Sequence, residues 1–178
     1  MSIIVIAAAV VGILFAILAQ GDRRHWLIVG SAVVVAFGVI LGVVAHPVEQ
    51  PVWAAVAIGI GFSAIGVLGG SPVVALVLRF AQGGVELGDH GGILVDDDAP
   101  HGREILRGGA TIGYLERFAL IGAVIAGQGA AVAIIVAVKG LGRFSELDDS
   151  RARERFIIGT LTSLCWAGVC VAAALLAS

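Results

Sequence analysis

Glu116-Arg117, Gln128 and Lys139 are the residues of this chain whose types and spacing could do chemistry in an apolar setting. A charge placed inside a membrane is costly, and such charges commonly mark ion or solute paths. Glu116 and Arg117 open an apolar run over 118–138, and Lys139 closes it. As one helix the run rises about 31 Å at roughly 1.5 Å per residue, enough to cross the hydrocarbon core. The three charges are therefore expected to bracket a bilayer and fix the helix's depth, with a buried ion pair or gate as the alternative. Gln128 stands near the middle of the run between Gly127 and Gly129. Its amide needs a partner there, either as interhelical glue or as the lining of a narrow path. Thr160 and Ser163, on the last apolar run, complete a solute or pathway set with Glu116, Arg117 and Gln128.

A second set lies in the connector 139–155. Lys139 and Arg143 are four apart, Glu146 is three further on, and Arg151 and Arg155 repeat the four-residue step. Helical spacing would stack these side chains, giving a basic collar for anionic lipid or a site for a headgroup, phosphate or protein partner. In the polar stretch 83–109, Asp89, His90, Asp96, Asp98 and His101 are weak metal candidates. They have the right ligand types, but their spacing matches no familiar metal loop. No nucleophile elbow, phosphate loop or metalloprotease helix is present, so no catalytic residue is assigned, no cofactor is expected, and enzyme activity has no positive support. A net charge of −2 gives no strongly basic patch for nucleic acid.

These residues must be positioned by apolar helices. Hydrophobic residues make up 59% of the 178 and charged residues 13%, against about 25% charged in soluble domains. So few charges cannot coat a water-facing globule, and lipid supplies the second solvent. The expected fold is an all-α, single-domain, polytopic membrane helix bundle of about five spans, over 3–19, 26–45, 52–70, 118–138 and 156–177. The first run lacks a basic leader and a cleavage site, and reads as a retained helix. Gly69-Gly70-Ser71-Pro72 is expected to break the long third run, leaving a short, broken or re-entrant helix over 72–82. Trp26 and Trp53 sit at run ends, where indoles favour the headgroup region. With five crossings, Lys and Arg divide five against five between the two sides; the connector is the densest basic cluster and lies nearest its helix ends, which places it in the cytoplasm, the N-terminus inside and the acidic loop outside.

The blocks Ile112-Gly113-Tyr114-Leu115-Glu116-Arg117, Gly127-Gln128, Lys139 with Arg143-Phe144 and Glu146, and Phe156-Ile157-Ile158-Gly159-Thr160-Leu161-Thr162-Ser163 resemble a group of uncharacterised bacterial membrane proteins. The closest-looking members are small actinobacterial proteins, and the resemblance covers about 65 residues, from Ile112 to Trp166. It implies a multi-pass protein of the bacterial cytoplasmic (inner) membrane, and implies that the fourth helix, connector and fifth helix act as one unit. Some larger relatives carry an N-terminal half that nothing in 1–109 resembles, and the group has no settled activity to transfer. Abundant Gly and Ala suit close helix contact, and a homo-oligomer in the lipid bilayer is expected. The functional expectation is small-solute or ion transport or binding. The alternative is a non-catalytic scaffold or partner subunit that docks lipid or protein through the connector.

Overall fold

The computed structural model describes residues 2–21, 25–44, 50–82, 93–94, 104–105, 109–142 and 150–178. Six helices carry nearly all of them: α1 (Ser2–Gly21), α2 (His25–Val44), α3 (Val52–Gln82), α4 (Gly109–Ile125), α5 (Gly129–Gly142) and α6 (Ser150–Ala177). Two short strands, β1 (Ile93–Leu94) and β2 (Glu104–Ile105), pair antiparallel within the polar stretch. The chain is an all-α helix bundle, and α1, α2, α3 and α6 are long and apolar enough to cross a membrane. Large apolar side chains such as Ile4, Leu14, Val33, Ile60 and Leu161 cover its outside. That surface suits lipid and not water.

α3 is the axis of the bundle and packs against α1, α2, α4 and α6. Side-chain pairings give the directions. On α1, Ala9 faces Gly61, Gly12 faces Ile65 and Gln20 reaches Leu68, so α1 runs parallel to α3. On α2, Gly38 faces Phe62, while Leu27 and Ile28 cluster with Val73 and Leu76, so α2 is antiparallel. On α6, Gly159 faces Val74 and Leu78, Trp166 lies on Gly69, and Cys170 lies on Gly66, again antiparallel. Val5, Val35, Ile58, Phe62, Ile65, Cys170 and Ala173 fill the core between these four helices. Gln50 closes one end of it by donating from Nε2 to the Ala177 carbonyl at 3.2 Å.

Two expectations are corrected. First, α3 does not break at Gly69-Gly70-Ser71-Pro72; it continues as one helix of 31 residues, and no separate helix forms over 72–82. Second, the 118–138 run is not one span. It is interrupted at Ala126-Gly127-Gln128, and α4 and α5 pack against each other as a hairpin. The turn has a local cause. Gly127 takes φ +69°, the left-handed region open to glycine. The Gln128 amide then reaches the Ala123 carbonyl at 2.8 Å and the Gly127 amide reaches Val124 at 3.0 Å. This is the Schellman arrangement that ends helices. Gln128 O next accepts from the Ala131 amide at 3.0 Å, which starts α5 at once.

The hairpin sits on one side of the bundle. α4 starts near the end of the bundle where α1 and α3 finish and α2 and α6 begin. It runs inward, placing Arg117 at Val67 and Ser71 and then Ile121 at Gly66. Leu120 and Ile121 are buried with Ala167 and Val171 of α6. α5 returns to the starting end, where Lys139 meets Glu116 and the ring of Phe156. Four helices therefore run the length of the bundle, and the hairpin dips in and comes back.

Candidate functional site

Arg117 is the centre of the site, and the sequence reading placed it at a boundary. Its side chain is 2% exposed. Nε donates to the Val67 carbonyl at 2.8 Å, one terminal nitrogen to Ser163 Oγ at 3.2 Å, and the other to Ser71 Oγ at 3.1 Å. Val67 is the sixteenth of the 31 residues of α3, and Ser163 the fourteenth of the 28 in α6. The guanidinium is thus held half-way along both long helices. Ser163 is also about 10 Å in from Phe156, where the apolar part of α6 begins, at roughly 1.5 Å per residue.

Pro72 leaves one acceptor of α3 open at this level. It has no N–H to offer the Leu68 carbonyl four residues back. Gln20 Nε2 approaches that carbonyl at 3.4 Å, and Tyr114 Oη donates to Gln20 Oε1 at 2.9 Å. Nearby, Trp166 Nε1 donates to the Ile65 carbonyl at 3.3 Å. Three carbonyls of one stretch of α3, those of Ile65, Val67 and Leu68, therefore receive side-chain donors from α6, α4 and α1. Glycines make the approach close. A Cβ at Gly70 would stand 2.5 Å from Arg117 Cδ and Nε, and one at Gly113 would stand 3.0 Å from a terminal nitrogen. The Tyr114 ring lies 5.1 Å from the guanidinium carbon, a cation–π distance.

The acceptors around this cation are neutral. The adjacent carboxylate, Glu116, instead forms a salt bridge with Lys139 across the hairpin. Both side chains are largely covered, 12% exposed for Glu116 and 17% for Lys139. Lys139 Nζ is also 5.9 Å from the Phe156 ring centre. Glu116 and Lys139 do not bracket a crossing, because the turn brings both to the same end. Opposite charges placed eleven residues before and twelve after Gly127 were the signal in the sequence for that turn.

The remaining candidates divide. Ser163 joins the site as a ligand of Arg117. Thr160 is half-buried on α6, one turn nearer its start. Gln128 is exposed in the turn, so it is neither mid-helix nor interhelical glue within this chain. Of the connector set, Arg143 and Glu146 lie outside the described residues, Arg151 is the second residue of α6, and Arg155 is half-buried on it. Asp89, His90, Asp96, Asp98 and His101 also lie outside the described residues, among which no group of His, Cys, Asp and Glu could hold a metal. Ser71, Gln20 and Tyr114 were missed. Pro72 inside a long apolar run was the available clue, since a proline there leaves a carbonyl that something must satisfy. No family model, no curated protein and no solved structure matches this chain.

Proposed function

We propose that the chain is a multi-pass protein of the bacterial cytoplasmic membrane that binds or passes a small solute or ion, with the α4–α5 hairpin controlling the path. One observation carries this reading: a hairpin enters the bundle from one end and brings a charged side chain, Arg117, to the middle of two long helices. Backbone breaks and charges at membrane depth are expensive, and they recur where a protein handles solutes. Two of the three helices that hold Arg117, α4 and α6, lie in the segment that carries the resemblance to bacterial membrane proteins.

The fold supports an orientation as well. Arg79, Lys139, Arg151, Arg153 and Arg155 lie in helix turns near the end where the hairpin enters. Five more belong to segments 22–24, 83–108 and 143–149, which join helix ends at that same end. Arg117 accounts for the eleventh basic residue, and the opposite connection, 45–51, has none. By the positive-inside rule the hairpin enters from the cytoplasm, and Ser2 and Ser178 lie on the outer side. The test is flux into liposomes across a panel of small ions and solutes, comparing the wild type with Arg117→Gln. A species that the wild type passes or binds, at a level that Arg117→Gln changes, supports the reading. If the wild type neither passes nor binds any of them, the reading fails.

A further inference from the structure

The three oxygens that hold Arg117 belong to the scaffold and not to the hairpin: Val67 O and Ser71 Oγ on α3, Ser163 Oγ on α6. All are neutral, they face one cation at 2.8–3.2 Å, and they lie half-way along the bundle. Backbone carbonyls beside a helix irregularity, with hydroxyls from a neighbouring helix, are the ligand type that coordinates alkali cations in membranes. Divalent cations draw on carboxylates, and the carboxylate next to Arg117 in the chain, Glu116, is paired with Lys139. The occupant of these oxygens is carried on the hairpin. α4 packs on α3 and α6, α5 packs mainly on α4, and the Ala126-Gly127-Gln128 turn and the Glu116–Lys139 pair hold the two together.

We propose that Val67 O, Ser71 Oγ and Ser163 Oγ form a monovalent-cation site for which the Arg117 guanidinium is the tethered competitor. Guanidinium and ion cannot hold the same oxygens together, so a bound cation favours a state in which the hairpin has withdrawn Arg117. Lys139 leaves with it, because its partner Glu116 is the neighbouring residue on α4. Water completes the ion's coordination shell. This inference rests on the solute or ion reading above and names the class of ion.

The test is an equilibrium measurement in detergent, separate from flux. Thermal unfolding of Arg117→Ala and Arg117→Gln is followed in NaCl, KCl and choline chloride at equal ionic strength. Ligand linkage predicts a rise in Tm that grows with the logarithm of cation concentration, about 5–10 °C in sodium or potassium over choline at a hundredfold excess over Kd. Adding Ser163→Ala to either variant should abolish the rise. Equal Tm values in all three salts would overturn the proposal. Failure of both variants to fold in any of the salts would overturn it too, because a cation should then replace the guanidinium. A cation-specific rise without flux would keep the site and remove the transport reading. Flux without a cation-specific rise would do the reverse.

Discussion

Gly70→Ala tests whether the Arg117 cradle is as tight as the geometry says. The new Cβ would sit 2.5 Å from Arg117 Cδ and Nε and 2.6 Å from Cζ, where ordinary contact begins at 3.4 Å. The guanidinium must move by about 1 Å, which takes Nε out of bonding range of the Val67 carbonyl, now at 2.8 Å. A hydrogen bond to a charged group is worth about 1.5–3 kcal/mol, and overpacking costs about 1–3 kcal/mol. Replacing Gly by Ala inside a helix returns about 1 kcal/mol. The net expectation is a loss of about 1.5–5 kcal/mol. In thermal unfolding that is a fall of roughly 3–20 °C for a chain of this length. Gly59→Ala and Gly168→Ala are the controls, because nothing lies within 4 Å of their added Cβ atoms. They should be neutral or stabilised by up to about 1 kcal/mol. In an Arg117→Ala background, Gly70→Ala should lose most of its cost. If Gly70→Ala unfolds at the same temperature as Gly59→Ala, the packed guanidinium is wrong and the site argument fails with it.

Further expectations concern the hairpin and the opposite end of the bundle. Gly127→Val should cost about 1–2 kcal/mol by Tm, because its φ of +69° disfavours a branched side chain, while Gly127→Asn should cost visibly less; equal losses would argue against the turn. A double-mutant cycle on Glu116→Gln and Lys139→Met should give a coupling of about 1 kcal/mol, since the pair is largely covered; zero coupling would mean that α4 and α5 are not held together there. Gly42→Ala should lower Tm by more than the Gly59→Ala control, because its Cβ would stand 2.5 Å from the Leu176 backbone, which has no rotamer with which to yield. Stability equal to that control would contradict the α2–α6 crossing.

The membrane bundle was legible in the sequence because it depends on run length and scarcity of charge, and α1, α2 and α6 fall where the runs placed them. The two breaks were exchanged for a physical reason. Ser71-Pro72 reads as a helix stop, yet α3 passes through it; Gln20 brings a donor to the Leu68 carbonyl that Pro72 leaves without an N–H, and Arg117 brings another to Val67. Those donors come from residues 48 and 50 positions away, which local chemistry cannot reveal. Gly127-Gln128-Gly129 reads as a packing site within a span because 118–138 is long enough to cross; length alone could not tell one crossing from a hairpin. The orientation tie followed from that error, and it disappears once Lys139 and the connector return to the end from which α4 started. Ser163 was singled out as a hydroxyl on the last apolar run, but its partner needed the fold.

The re-entrant hairpin is the central claim, and cysteine accessibility at its two feet tests it most directly. Ile112 on α4 and Leu141 on α5 are both exposed, and each can be replaced singly by cysteine in a Cys165→Ser, Cys170→Ala background. Intact and permeabilised cells are then treated with a membrane-impermeant maleimide. The hairpin predicts that both positions label from the same face, and the basic-residue distribution predicts that this face is the cytoplasmic one, reached only after permeabilisation. Labelling of Ile112→Cys and Leu141→Cys from opposite faces would mean that 118–138 crosses the membrane as one helix, and would contradict the account.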